Sequence, residues 1–282
     1  MPLAWPALGL RVALVGVERV LLRVLGAFAP PTACAAAFFG VGSLVLLPFV
    51  RLRALEQWTF LRAAVPAGLL YAVAYWLYVS ALVRSDVTAA APLSGLSSVF
   101  VVVLARLVHG EALTPLKVAG ATLVAAGAAA AQSGGRRRTR PPFGPAAQML
   151  AYALLSALLR MLDKVGAASP AAAAYAFVVF AETAAGQLLL LAWTGRMETV
   201  VSLLRRQPAL VAAAGLCNGG SFLLLLYALG HVPVSIADPL TTLSMIVSAA
   251  VAAVWLREPV GARLLPTMGV IAGTWLLVQS GS

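Results

Sequence analysis

The sequence predicts an all-α polytopic membrane protein, built as ten transmembrane helices in two inverted five-helix repeats. Three observations predict it. Of 282 residues, 62% are apolar and only 10% charged, with a mean hydropathy of +0.96. The apolar residues fall into runs of about 20, the length that carries a helix across a bilayer core. Stretches of the first half also recur, at fixed offsets, in the second.

The composition excludes several classes. A soluble domain usually carries about 25% charged residues, because its surface has to be covered with polar groups. A soluble enzyme and a disordered chain are therefore both excluded. The 20 Lys and Arg outnumber the 9 Asp and Glu, which in a soluble protein would suggest nucleic acid. Here the basic residues sit mainly in short gaps between apolar runs, where they set topology and meet anionic headgroups. The expected partner is the lipid bilayer, and no nucleic acid is expected. Cys34 and Cys217 both lie inside apolar runs and read as buried, free thiols. The first apolar run continues without a polar break or small-residue cleavage pattern, so no cleavable signal peptide is expected.

Cutting the chain at charged, Pro and Gly clusters gives spans at roughly 7–28, 31–50, 63–83, 87–108, 112–132, 145–166, 169–193, 209–229, 234–256 and 260–279. The runs are too long for strands and lack their alternation, whereas helices satisfy every backbone group inside lipid. The first and sixth spans carry charges and are the least hydrophobic. Between the fifth and sixth lies SGGRRRTRPP, whose Gly, Pro and Arg mark a linker. The chain thus divides into residues 1–132, a basic linker 133–144, and residues 145–282.

Residues 81–111 align without gaps onto 228–258 at an offset of 147. The identities include Ala81/Ala228, Val87/Val234, Pro92/Pro239, Ser97/Ser244 and Glu111/Glu258. Earlier in each half, an offset of 140 matches Gly26 to Gly166 and Pro30 to Pro170. Five crossings per half is odd, so the second copy enters the membrane from the opposite side. Secondary transporters share this build, with the substrate held at the repeat interface near the midplane.

The paired stretches Ala81-Leu82…Val87-Thr88…Pro92-Leu93…Ser97…Glu111 and Ala228-Leu229…Val234-Ser235…Pro239-Leu240…Ser244…Glu258 resemble the signature of the EamA family of the drug/metabolite transporter superfamily. So do the glycines that follow each Glu, Gly120 and Gly127 in one half and Gly269 and Gly273 in the other. The resemblance implies a multi-pass protein of the plasma (inner) membrane. It implies alternating-access transport of a small metabolite or drug-like solute, with efflux as the expected direction. It names no substrate. Where many members open each repeat with Trp-Gly, this chain has Val17-Glu18-Arg19.

An ionisable side chain at mid-bilayer is costly and normally faces a partner or a wet cavity. Glu18 lies near the centre of the first span with Arg11, Arg19 and Arg23. Glu182 lies near the centre of the seventh with no basic residue closer than Arg196. Both read as cavity carboxylates that bind a cationic group or couple a proton. The other reading of Glu18 is an interhelical ion pair with Arg160 or Arg23. Asp238, just before Pro239, reads either as a cavity carboxylate or as a charge favoured by the helix N-terminus. Arg160, Asp163 and Lys164 are expected near the end of the sixth span. Glu111 and Glu258 are expected at the water interface, capping the next helix or pairing with Arg106 and Arg257.

Pro92 and Pro239 hold matching positions, and matching Pro-interrupted segments point to a transport site. Ser97, Ser244 and neighbouring Ser and Thr line a cavity or bond across packed helices. Tyr71, Tyr75 and Tyr78 share a helix face and, with Trp76, form an aromatic wall suited to apolar or cationic solutes. Asn218, Phe222 and Tyr227 are their counterparts in the eighth span. No nucleotide-binding, metalloprotease or nucleophile-elbow motif occurs, so no enzyme activity, cofactor or metal is expected.

Orientation is open. The face bearing the linker collects ten basic residues against six on the face bearing the termini. That bias places the linker in the cytoplasm, while the resemblance implies cytoplasmic termini. A second class of function, a non-transporting membrane partner or lipid-handling protein, predicts a closed interior without a polar cavity.

Overall fold

The computed structural model describes residues 3–51, 60–109, 113–133, 143–258 and 261–279, and among these all regular structure is helical. The first half holds α1 (Ala4–Leu25), α2 (Pro31–Leu46) with a 3-10 turn at Leu47–Phe49, α3 (Leu61–Val83), α4 (Val87–Ser94), α5 (Leu96–His109) and α6 (Pro115–Ser133). The second holds α7 (Phe143–Ala168), α8 (Ala172–Trp193), α9 (Met197–Arg206), α10 (Pro208–Leu229), α11 (Val234–Thr242), α12 (Ser244–Trp255) and α13 (Gly261–Gln279).

Local chemistry sets the helix ends. Pro31 and Pro208 open α2 and α10, where a missing N–H costs nothing. Gly195, at φ +66°, makes the tight turn between α8 and α9 that a side chain would resist. Six segments are long and apolar enough to cross a bilayer: Pro31–Phe49, Leu61–Val83, Gly144–Ala168, Ala172–Trp193, Pro208–Leu229 and Val234–Trp255. Side chains facing outward are strongly apolar, with Val254 85%, Leu265 80% and Leu107 74% exposed. Such a surface suits acyl chains and not water. The chain is a multi-pass membrane protein.

Two expected spans carry a break. The span expected at 87–108 is interrupted at Gly95, between α4 and α5, and that at 234–256 at Leu243, between α11 and α12. Each interruption follows a proline, Pro92 or Pro239, which cannot donate to the carbonyl four residues back. The chain then tightens into i→i+3 turns, Ser98 N–H to Gly95 O and Ile246 N–H to Leu243 O. The two breaks fall within one residue of each other at the 147 offset. α9 lies in the gap between the expected spans 169–193 and 209–229. It is a short amphipathic helix, turning Val200 and Leu203 inward and ending on Arg205 and Arg206.

The helices pack across the halves. α1 lies on α10 as α3 lies on α7, and α2 meets α10 as α3 meets α8. α1 meets α12 as α5 meets α7, while α2 packs on α8 and α6 on α13.

Candidate functional site: a polar cavity at the broken helices

The two breaks adjoin one cavity, of about 50 Å³. α1 brings Arg11, Glu18 and Arg19 to it, and α3 brings Tyr75 and Tyr78. From α7 come Tyr152, Ser156 and Arg160, and from α10 Asn218, Ser221 and Phe222. The interrupted helices supply Ser94, Gly95 and Ser97 on one side and Asp238, Thr241 and Thr242 on the other. Each helix contributes side chains three or four residues apart, so one face of each points inward.

A buried charge network forms part of the wall. Arg160 Nε donates to Asp238 Oδ1 at 3.0 Å, and Arg160 Nη1 donates to the Tyr71 hydroxyl at 2.9 Å and forms an ion pair with Asp163. Asp163 also accepts from the Tyr71 hydroxyl at 2.7 Å and the Tyr175 hydroxyl at 3.0 Å. Ser97 and Ser98 each reach Asp238 Oδ2 at 3.4 Å. Burying an ion costs several kcal/mol unless its partners satisfy it, and here the two carboxylates and the guanidinium do so mutually.

Two further arginines stand on α1. Arg11 donates from Nη1 to the Ser221 carbonyl at 2.7 Å and from Nε to Thr241 Oγ1 at 3.2 Å. Arg19 reaches Ser94 Oγ from Nη2 at 3.4 Å, while its Nε and Nη1 are buried without a hydrogen-bond partner. Glu18 is buried in the field of Arg11 and Arg19 yet forms no hydrogen bond or ion pair among the described residues. The aromatic wall is continuous. Tyr78 and Tyr152 have ring centroids 4.6 Å apart, and Phe39 meets Tyr75 edge-on at 4.7 Å.

Glu18, Tyr75, Ser97, Asn218 and Asp238, of the residues singled out in the sequence, line this cavity. Several do not. Glu182 lies over Gly68 at the contact of α8 with α3, its Oε2 without a partner. Trp76 is 37% exposed, off the cavity. Ser244 is buried and donates to the Thr241 carbonyl at 2.6 Å, a local helix-start bond. Pro92 and Pro239 belong to the backbones of α4 and α11, and their side chains, like all of Glu111, lie outside the described residues.

The charged residues take the following places. Arg160 and Asp163 lie in the last third of α7 as expected, but buried, with Arg160 at the cavity wall and paired to both Asp163 and Asp238. Asp238 is held by that pairing and not by a helix terminus. Neither Arg160 nor Arg23 pairs with Glu18, since Arg23 donates to the Val83 carbonyl. Glu258 Oε1 accepts from the Val87 N–H at 3.1 Å and so caps α4 of the first half. Sequence reading also missed Tyr152 and Ser156. The signal was there: Tyr152, Ser156, Arg160 and Asp163 recur at four, four and three residues on one face of α7.

Residues 6–131 match the EamA-like transporter family. That family is part of the drug/metabolite transporter superfamily. Members of that family are transporters, so the match implies a small-molecule substrate and, with the apolar helices, supports a multi-pass protein of the plasma membrane. No curated protein matches the sequence. A protein crystal structure superposes with a TM-score of 0.59 at 18% identity, covering 98% of this chain and 97% of that one. The fold is therefore shared along the whole length.

Proposed function

We propose that this protein is a secondary-active exporter that moves a small metabolite or drug-like solute by alternating access, in exchange for or together with a proton. The observation that carries the reading is the cavity itself: charged, buried, and placed where two interrupted helices from opposite halves meet. Interrupted helices at matching positions are how many secondary transporters build a midplane site.

The reading includes ten membrane helices in two inverted repeats, residues 1–132 and 145–282. With α4–α5 and α11–α12 each counted as one crossing, every major helix contact has a partner under exchange of the halves. α1 on α10 answers α3 on α7, and the α2–α8 and α6–α13 contacts answer themselves. That pairing supports a two-fold relation, about which the halves rock. A non-transporting or lipid-handling protein would need no buried charges at the meeting point of its halves.

Glu18 is the residue assigned to proton coupling. It is a buried carboxylate that lines the cavity with no bonded partner, so it is free to exchange a proton for a cargo contact. Tyr75, Ser97, Asn218 and Asp238 shape the site around it.

The test is flux in proteoliposomes across a metabolite panel, with and without an imposed pH gradient. Movement of at least one solute is expected. Glu18→Gln is expected to leave flux indifferent to the gradient, while Glu182→Gln, away from the cavity, leaves it coupled. Absence of all flux would sink the transporter reading. Retained coupling in Glu18→Gln would remove Glu18 from its role.

A further inference from the structure

We infer that Arg19 is the clamp for a carboxylate group on the cargo, a reading that rests on the transporter function proposed above. Three arginines line the cavity, and two already hold bonded partners on both Nε and Nη1. Arg160 is held by Asp163, Asp238 and Tyr71, and Arg11 by the Ser221 carbonyl and Thr241. Arg19 is only 6% exposed, yet its Nε and Nη1 have no hydrogen-bond partner; its Nη2 reaches Ser94 Oγ at 3.4 Å, and its neighbour across the cavity is the Tyr78 hydroxyl.

A guanidinium offers two-donor edges, and each edge of Arg19 includes at least one unpaired nitrogen. Buried donors left unpaired cost free energy, which a bound acceptor returns. The group that matches such an edge is a planar anion with two oxygens, bonded by two parallel N–H···O contacts.

The surroundings favour the same class. Asn218 Nδ2, also lining the cavity, is a further buried donor without a partner. Apart from the Glu18 carboxylate, the polar atoms of this cavity that lack a partner are donors. Tyr75, Tyr78 and Tyr152 add apolar faces for the body of an organic acid. Because Ser94 ends α4, a carboxylate on Arg19 also sits beside the first helix break.

The test uses the purified full chain in detergent and three acids: benzoate, 3-phenylpropionate and hexanoate. Each is titrated calorimetrically against its own primary amide, which keeps the shape and loses the charge. At least one acid is expected to bind about ten-fold or more tightly than its amide. Arg19→Lys keeps the charge without the planar fork and is expected to lose most of that preference. Arg19→Gln is expected to lose all of it, and the exposed Arg205→Gln none.

Equal affinity for acid and amide, no binding of any acid, an unchanged preference in Arg19→Lys, or tighter binding of inorganic phosphate would each overturn the clamp. Flux in proteoliposomes separates the two proposals. Acid binding without flux of any solute sinks transport and leaves the clamp. Flux that ignores the acid–amide difference sinks the clamp and leaves transport.

Discussion

Arg160 Nε lies 3.0 Å from Asp238 Oδ1, and this contact ties α7 to the interrupted helix α11 at the cavity wall. Asp238 reaches in turn to Ser97 and Ser98 on α5, so one carboxylate links a broken helix of each half. A charge network at the point where the halves meet holds one arrangement of them, and any rearrangement has to break or carry it.

The first prediction concerns that hub. Arg160→Gln would leave Asp163 and Asp238 buried without their cation, and losing one partner of a buried pair costs about 3–5 kcal/mol. Asp238→Asn should cost less, because Arg160 keeps Asp163. Thermal unfolding of the purified protein in detergent checks the order. An Arg160→Gln protein as stable as wild type would show that the network carries no stability.

Tyr71 and Tyr175 both donate to Asp163, but Tyr71 alone also accepts from Arg160. Tyr71→Phe therefore removes two charge-linked hydrogen bonds and Tyr175→Phe one. At about 1.5–3 kcal/mol for a bond to a charged group, Tyr71→Phe should be the more damaging. Equal melting shifts in the two variants would contradict this geometry.

Much of the scaffold is legible in the sequence, because in lipid the apolar run and the helix coincide. The starts at Pro31 and Pro208 fall within one residue of the expected 31–50 and 209–229. The breaks at Gly95 and Leu243 are half legible, since Pro92 and Pro239 mark the place but not the residue where the helix stops. Charge placement is less so. Arg160 and Asp163 fall near the end of the sixth span as expected, but only the fold brings Asp238 and Tyr71 to them. Glu182 illustrates the converse. The absence of a local basic residue says that it lacks a partner, but not which way its helix face turns, and that face meets Gly68 of α3.

Glu258 caps the first turn of α4 through the Val87 N–H at 3.1 Å, reaching from the end of the second half to the first. A carboxylate at a helix N-terminus satisfies an otherwise orphaned donor and is favoured by the dipole. Glu258→Ala should cost about 0.5–2 kcal/mol, in the range of lost N-caps. It should also speed amide hydrogen exchange at the start of α4 more than at the start of α10. Unchanged exchange in α4 would show that the cap is dispensable.

The contact of α6 with α13 offers a test of packing in which one glycine serves as control for another. A Cβ on Gly120 would lie 2.7 Å from the Gly273 carbonyl oxygen. One on Gly273 would lie 2.6 Å from both the Gly120 carbonyl oxygen and the Val124 amide nitrogen. These are backbone atoms, which cannot swing aside as a side chain does, so the helices have to separate. Gly269 differs: its Cβ would meet only the Gly127 Cα, at 3.5 Å, an ordinary contact. In a membrane, where lipid is as apolar as the helix surface, close packing of this kind is a main source of helix association. Gly120→Ala and Gly273→Ala should each cost about 1–3 kcal/mol by overpacking. Gly269→Ala should be neutral or slightly stabilising, because alanine narrows the unfolded ensemble. Melting temperatures of the three variants in one detergent decide the matter, and a Gly269→Ala loss as large as the other two would mean that helix separation is not the cause.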